Sequence, residues 1–171
     1  MVQLYFGDGK GKTTAAIGQA IRMAGYGKQV LIARFLKTNT SGEINALDQI
    51  KGIFFVPNPK EFGFVFTMTL EEKQEAKEYY TNMFLSMKQM CTQHSFDLIL
   101  LDEIVDTCNL GLLDDSLLYD FIKNSDYVTE IILTGREPDT KLLDLCDYIS
   151  EIKKIKHPYD IGVKAREGIE F

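Results

Sequence analysis

The residues whose types and spacing best indicate chemistry lie near the start of the chain, in a loop rich in glycine and lysine. Before them, Val2 to Phe6 is a short run of β-forming residues that predicts a buried strand. After them, Ala15 to Ala24 has helical periodicity. A strand, a glycine loop and a helix that opens on Gly-Lys-Thr are typical of a phosphate-binding loop. The loop consists of Gly7, Asp8, Gly9, Lys10, Gly11, Lys12, Thr13 and Thr14.

These residue types explain how the loop would hold an anion. Alternating glycines let successive backbone amides form a concave group of N–H donors, and the following helix points its positive end at the same place. Lys12 would reach the outer phosphates, and the Thr13 hydroxyl would bind Mg²⁺. The usual pattern has a glycine where this chain has Phe6, so the loop starts one residue late. A plain strand-to-helix connection is the alternative, but the flanking elements favour a nucleoside polyphosphate site.

Two acids end a later apolar run, Asp97 to Glu103, which predicts a strand. An apolar strand that presents a carboxylate is the second motif expected of a nucleotide site, because a phosphate-bound cation prefers oxygen ligands. Periodicity does not decide whether Asp102 or Glu103 faces the metal. The acids could instead cap a helix, or Glu103 could orient a water for hydrolysis.

Two basic residues also follow predicted strands. Lys37 follows the apolar run from Gln29 to Leu36, and Arg136 follows the run from Glu130 to Thr134. The Arg136 guanidinium could clamp a phosphate with two hydrogen bonds, or it could be a surface arginine in a turn.

Strands alternate with helices along the whole chain, which predicts an α/β protein: a three-layer sandwich with a mostly parallel sheet. Ligands of such sheets lie beyond the carboxyl ends of the strands, so all these side chains should surround one site. Further strands are expected at residues 53–56 and 147–154, the latter at an edge. Helices are expected at residues 43–50, 70–91, 112–123 and 139–146, and residues 57–66 are expected to be irregular.

Length and composition narrow the function classes. The 171 residues are one domain's worth, residues 1–171 show no second domain, and 45% are hydrophobic. A formal net charge of −6 argues against nucleic-acid binding. Three widely spaced cysteines, no signal peptide and no apolar run of membrane length predict a cytoplasmic protein that does not bind membranes. His94 and His157 lack partners at metal-ligand spacing.

The segment from Phe62 to Thr67 places phenylalanines at alternate positions beside a glycine. They could form one face of a buried strand, or an exposed loop for a large, flat, apolar ligand. The residues alone leave both possibilities open.

Taken in order, these motifs resemble those of the P-loop ATP:corrinoid adenosyltransferases over essentially the whole chain. The matching residues are Gly7 to Thr14, Gly25-Tyr26-Gly27-Lys28, Phe35-Leu36-Lys37, Gly63-Phe64, Leu101-Asp102-Glu103, Thr134-Gly135-Arg136 and Lys156-His157-Pro158, with the closing Gly162 to Phe171.

The resemblance implies a RecA-like P-loop NTPase fold, usually dimeric. It also implies transfer of the 5′-deoxyadenosyl group of ATP to the cobalt of a reduced corrinoid, cobalamin or a precursor, with release of triphosphate. Cobalt(I) is the nucleophile, so the protein need not supply one, and a reductase would supply the electron.

In this resemblance Phe64 and Phe66 match positions that displace the lower axial ligand of cobalt(II), which makes the metal easier to reduce. The second position can be tryptophan in relatives, and this chain has no tryptophan. The catalytic residues implied are Lys12, Phe64, Phe66 and Glu103, the ATP-binding residues are the loop with Lys37 and Arg136, and the Mg²⁺ ligands are Thr13, Asp102 and Glu103.

Two other functions remain open from the sequence. The chain could be a P-loop ATPase or small-molecule kinase, with Glu103 placing the acceptor, or a non-catalytic carrier of ATP and corrinoid. The products distinguish them: triphosphate for the transferase, phosphate for an ATPase or kinase, and neither for a carrier.

Overall fold

The computed structural model describes residues 1–37, 42–60, 62–63, 65–126 and 128–169. In this part of the chain six strands form one sheet, and every pair is parallel. They are β1 (Val2–Phe6), β2 (Val30–Arg34), β3 (Ile53–Phe55), β4 (Leu98–Asp102), β5 (Glu130–Gly135) and β6 (Tyr148–Glu151). Their order across the sheet is β3-β2-β4-β5-β1-β6.

The helices of the described residues cover both faces of this sheet. On one face, Ala16 and Ala20 pack against Ile32 and Leu100; on the other, Phe84 packs among residues that include Leu101. A parallel sheet covered on both sides has continuous apolar strands, which explains why β2 and β4 are buried throughout. The helices are α1 (Lys12–Gly25), α2 (Gly42–Leu47), α3 (Leu70–Gln93), α4 (Ile104–Asn109), α5 (Asp115–Lys123) and α6 (Thr140–Asp144).

The predicted three-layer α/β class is confirmed, and the sheet is wholly parallel across the described strands. β6 lies at an edge, as expected, and it is shorter than the predicted 147–154. Helix α4 was not predicted, because six residues directly after a strand are too few to show helical periodicity. The helix expected from residue 112 begins at Asp115 instead, since the Asp114 carboxylate caps it by accepting from the Ser116 amide.

Strand order decides which loops meet. β5 lies between β1 and β4, and β4 pairs with β2 on its other side. The register aligns Phe6 with Gly135 and Arg34 with Asp102, so these strands end at the same level. Four parts of the chain therefore meet at this edge of the sheet: the glycine loop, the segment after β2, the acids at the end of β4 and the turn after β5.

Among the described residues, the structure contains no helix that is both long and apolar enough to span a bilayer.

Candidate nucleotide-binding site

The glycine loop is pressed closely against the segment that follows β6. A Cβ atom on Gly7 would lie 2.5 Å from the Ile152 carbonyl oxygen, and one on Gly9 would lie 2.7 Å from it. Gly7 also has a φ of 117°, a backbone conformation that side chains disfavour. Glycine is required at these two positions because the neighbouring backbone leaves no space for a side chain.

Hydrogen bonds fix the loop in this position. The Gly7 amide donates to the Gly135 carbonyl at 3.2 Å, and the Gly9 amide donates to the Ile152 carbonyl at 2.8 Å. The Asp8 carboxylate accepts from the Lys154 amide at 2.8 Å, and this bond lowers the pKa of Asp8. Gly7, Asp8 and Gly9 therefore fasten the loop to β5 and to the segment after β6.

Lys12 is the first residue of α1 and is only 9% exposed. Its Nζ donates to the Gly9 carbonyl at 3.0 Å, so the side chain folds over the loop. Burial lowers the pKa of Lys12, the Glu103 carboxylate opposes this, and the Arg136 guanidinium adds to the lowering. The N-cap residue Gly11 has no side chain, so no capping group competes for the first amides of α1.

A compact polar cluster joins α1, β4 and the segment after β2. The Thr13 hydroxyl donates to Asp102 Oδ1 at 2.8 Å. The Lys37 ammonium lies 3.0 Å from Thr13 Oγ1, 3.3 Å from Asp102 Oδ2 and 2.8 Å from Glu103 Oε1. Burial lowers the pKa of Lys37, but the carboxylates of Asp102 and Glu103 outweigh this and the pKa is raised. One cation is thus surrounded by oxygen atoms from three residues.

Asp102 is the most deeply buried member of this cluster, with 0% exposure. Besides Thr13, its Oδ1 accepts from the Thr134 hydroxyl at 2.7 Å, and that hydroxyl accepts from the Glu103 amide at 2.8 Å. The Arg34 guanidinium lies 3.9 Å from Asp102 Oδ2 and bonds the Glu43 carboxylate at 3.0 Å. A buried carboxylate needs such partners, because desolvation penalises an unpaired charge strongly.

A further acid, Asp106, lies close to Glu103, and the charges of both act on Lys12. Burial and the adjacent Glu103 raise the pKa of Asp106 to about 6. Asp106 Oδ2 accepts from the Arg136 amide at 2.9 Å, so it holds the turn that carries Arg136. The turn passes close to this carboxylate, because a Cβ on Gly135 would lie 2.6 Å from Asp106 Oδ2.

The aromatic segment has one exposed and one packed phenylalanine among its described residues. Phe66 lies in a 3₁₀ turn, Val65–Thr67, and is 83% exposed. Phe62 packs edge-on against Tyr79, with ring centroids 5.2 Å apart, and against Tyr80 at 5.6 Å. Phe64 lies outside the described residues. The alternative of a buried strand face is therefore wrong for Phe66, because residues 65–67 form an exposed turn.

Comparison with known proteins places this site in context. The family model of the ATP:corrinoid adenosyltransferase BtuR/CobO/CobP matches residues 1–171. The chain belongs to this family.

Relatives of the ATP:corrinoid adenosyltransferase family match over most of their own length. The corrinoid adenosyltransferase of Escherichia coli K12 is 31% identical to this chain over 175 residues, which are 100% of this chain and 85% of that protein. Corrinoid adenosyltransferase CobA of Salmonella typhimurium is 30% identical over 184 residues, with the same two coverages. EssC (ATPases 2 and 3) from Geobacillus thermodenitrificans has a TM-score of 0.47 and 11% identity over 99% of this chain and 36% of that chain, too weak a likeness for any inference.

In this member of the adenosyltransferase family, the residues predicted to bind ATP and the metal lie at one edge of the sheet. Thr13, Lys37, Asp102 and Glu103 are linked by the contacts above. Lys12 bonds the Gly9 carbonyl, and the charges of Glu103 and Arg136 act on it. The described residues contain no group of three or more His, Cys, Asp or Glu side chains suited to holding a metal by themselves.

Sequence reasoning missed three contributors to the site: Asp106, the Thr134 hydroxyl, and Asn58, whose side-chain amide donates to the Lys37 carbonyl at 2.7 Å. Asp106 stands three residues after Glu103, the N-cap residue of α4, a spacing that becomes meaningful only once α4 is recognised. Thr134 was noted only as part of a motif, without a contact. Asn58 lies between two prolines in an irregular segment, where no periodicity indicates which way a side chain points.

The first prediction concerns the close approach of the loop to Ile152. Gly9→Ala should weaken ATP binding at least about tenfold, a loss of about 1.4 kcal/mol, because the new Cβ displaces the loop from the Ile152 carbonyl. Isothermal titration calorimetry measures the change. The control is Gly18→Ala within α1, where an added Cβ meets no atom within 4 Å. That variant should keep its ATP affinity and gain about 0.5–1 kcal/mol of stability. Equal affinities in the two variants would contradict the loop geometry.

The second prediction concerns pH. The pKa of Asp106 is about 6 in the folded protein, whereas its ordinary value, expected in the unfolded chain, is 3.8. Folding therefore favours the protonated form of Asp106. This stabilisation is present at acid pH and is lost as pH rises from about 4 to about 6. Asp106→Asn keeps a neutral acceptor for the Arg136 amide, so its melting temperature relative to wild type should rise between pH 4 and pH 7. Exposed Asp144→Asn is the control, and a pH-independent difference for Asp106→Asn would refute the prediction.

Proposed function

We propose that this protein transfers the 5′-deoxyadenosyl group of ATP to the cobalt of a reduced corrinoid, forming adenosylcobalamin or its diamide precursor and triphosphate. The observation that carries the proposal is the match of residues 1–171 to the ATP:corrinoid adenosyltransferase family. The phosphate-binding geometry after β1 supports it, since a triphosphate leaving group needs donors and cations at one place.

Nucleotide binding is proposed for the loop from Gly7 to Thr14 together with Lys37 and Arg136. The amides of Gly7 and Gly9 already donate to protein carbonyls, so we propose that these two residues maintain the shape of the loop and do not bind phosphate through their amides. The amides from Lys10 to Thr14 at the start of α1 would then hold the phosphates, where the helix dipole also favours an anion. Lys12 would contribute an ammonium from within the loop.

The donor atoms of the cluster suit Mg²⁺, a cation that prefers oxygen ligands and keeps several waters. Thr13, Asp102 and Glu103 already place their oxygens around the Lys37 ammonium, which supports the fit. We assign Thr13 and Asp102 as the pair nearest to the metal, since their oxygens lie 2.8 Å apart. Glu103 would serve the outer shell. Bound Mg²⁺ would neutralise charge on the phosphates.

The chemistry requires positioning more than a protein nucleophile. The cobalt(I) electron pair attacks C5′ of ATP, the Co–C5′ bond forms, and the C5′–O bond breaks with its electrons leaving on triphosphate. Lys12, Lys37 and Arg136 would stabilise the charge that develops on that leaving group. The assignment is supported by the position of these three cations, which lie at the same edge of the sheet.

Phe64 and Phe66 are proposed to displace the lower axial ligand of cobalt(II). The 83% exposure of Phe66 supports this role, because a ring that packs against a corrinoid must be accessible before the corrinoid binds. Phenylalanine at position 66 keeps apolar bulk but fills less space than tryptophan.

The remaining assignments rest on the family resemblance and on the length, charge and composition of the chain. We propose one catalytic domain over residues 1–171, a homodimer, an electron-donating reductase as partner, and a cytoplasmic location. The corrinoid is the large apolar substrate, and nucleic acid and membranes are not expected partners.

A single product assay tests the function itself. Incubation with ATP and chemically reduced cob(I)alamin should yield adenosylcobalamin and triphosphate in equal amounts. Release of orthophosphate would favour the ATPase, and ADP with a phosphorylated acceptor would favour the kinase, with Glu103 placing the acceptor. Binding of ATP and corrinoid without either product would favour a carrier.

The third prediction concerns Lys12. Lys12→Ala should lower the rate of adenosylation on the order of 10²-fold or more, because one cation that faces the leaving group is removed. The melting temperature should stay close to wild type, and exposed Lys123→Ala is the control for loss of a lysine. Near-normal turnover of a correctly folded Lys12→Ala protein would exclude the phosphate-binding role.

The fourth prediction concerns Phe66, with Phe64→Ala as a parallel variant. Phe66→Ala should impair adenosylation strongly when the reaction starts from cob(II)alamin, and much less when cob(I)alamin is supplied, because reduction is then bypassed. Tyr26→Ala removes an aromatic ring of the same 83% exposure and should change neither assay. The four-coordinate cob(II)alamin spectrum with ATP should weaken in Phe66→Ala. If the four-coordinate signal persists in the double variant Phe64→Ala/Phe66→Ala, this role is disproved.

A further inference from the structure

Asn58 is a buried polar residue that no motif of the family resemblance includes. It is 3% exposed and lies in the irregular segment after β3. Its Nδ2 donates to the Arg34 carbonyl at 2.6 Å and to the Lys37 carbonyl at 2.7 Å. Carbonyl oxygens can only accept, so the amide nitrogen must face them. Both N–H groups of Asn58 are therefore used to hold the backbone directly after β2.

The backbone between those two carbonyls is strained. Leu36 has a φ of 56°, in the left-handed region that a leucine side chain disfavours. Such a conformation is unfavourable for a residue with a branched side chain and persists only where the surroundings impose it. Asn58 spans this turn from Arg34 to Lys37 and holds the backbone on both sides of Leu36.

The strained turn determines the position of the Lys37 backbone, from which its side chain extends. From its position after Leu36, the Lys37 side chain reaches Thr13, Asp102 and Glu103, the three residues at the centre of the proposed site. If the turn relaxed to an ordinary conformation, the Lys37 Cα would move and its ammonium would leave these oxygens. The bonds that Asn58 makes to the Arg34 and Lys37 carbonyls therefore help to fix the location of this cation.

Tyr79 on α3 holds Asn58 in turn. The Tyr79 hydroxyl donates to Asn58 Oδ1 at 2.8 Å and accepts from the Lys60 amide at 3.3 Å. The ring of Tyr79 packs against Phe62, at the start of the aromatic segment. All the polar atoms of the Asn58 side chain are therefore satisfied, and its orientation is fixed from both sides.

We propose that Asn58 is a positioning residue that acts through Lys37, with Tyr79 as the group that orients it. The assignment deepens the proposed function, since it names a determinant of the same site. In this proposal Asn58 contacts neither substrate, and its whole effect on turnover passes through the placement of the Lys37 ammonium.

A double-mutant cycle tests this dependence. Asn58→Ala should lower kcat/KM for ATP roughly 10- to 100-fold, as expected when a charged group is misplaced by about 1 Å. In a Lys37→Ala background the same substitution should cost less than about threefold, because the group through which it acts is absent. A loss that is as large in the Lys37→Ala background as in wild type would overturn the proposal, since a purely structural role gives independent effects.

Tyr79→Phe provides a second, milder cycle that keeps the ring and its packing against Phe62. Loss of its hydroxyl should lower kcat/KM roughly three- to tenfold, and this loss should also vanish in the Lys37→Ala background. It decides the question if Asn58→Ala does not fold, and a persistent loss counts against the proposal. The matched controls are Tyr119→Phe, which removes a hydroxyl bonded to Asp139, and Asn124→Ala at the end of α5, since among the described residues neither side chain bonds Asn58 or Lys37.

The same cycles are also measured on ATP affinity by calorimetry, which requires no corrinoid. If wild type releases orthophosphate instead of triphosphate, the proposed transferase function fails, while coupling between Asn58 and Lys37 in ATP binding still supports the positioning role. Coupling absent from both ATP affinity and kcat/KM overturns it, whichever product is formed.

Discussion

The buried carboxylate of Asp102 is the group on which the arrangement of the site depends. A charge with 0% exposure at the end of a strand must be surrounded by donors and cations. Here Thr13 comes from α1, Thr134 from β5 and Lys37 from the segment after β2. Three parts of the chain are thereby drawn to the end of β4, and the glycine loop is oriented toward the acids.

A second constraint acts on the other side of the loop. The backbone after β6 passes so closely over Gly7 and Gly9 that only glycine fits, and Asp8 receives a hydrogen bond from Lys154. The edge strand β6 therefore has a role beyond ending the sheet, because the chain that leaves it packs directly against the glycine loop. Asp8 and Lys154 are therefore in contact although more than 140 positions separate them in the sequence.

Most of the architecture was readable from local pattern. Continuous apolar runs indicated strands covered on both faces, and the strand-loop-helix order around Lys12 indicated a phosphate site, because these signals arise from neighbouring residues. The same reasoning missed α4, whose six residues lie between the acids and a turn. It also left open whether the phenylalanines after residue 61 were core or surface, since alternation is compatible with either.

The sequence alone determined the fold class, the family motifs and the identity of the charged residues, since each is written in residue type and spacing. Only the tertiary structure decided which atoms meet. It placed Asp102, rather than Glu103, against Thr13, and it exposed Phe66. It also brought Asn58 against a strained turn more than twenty residues earlier. Such contacts depend on strand order and register, which arise from packing over the whole sheet and leave no periodic signal along the chain.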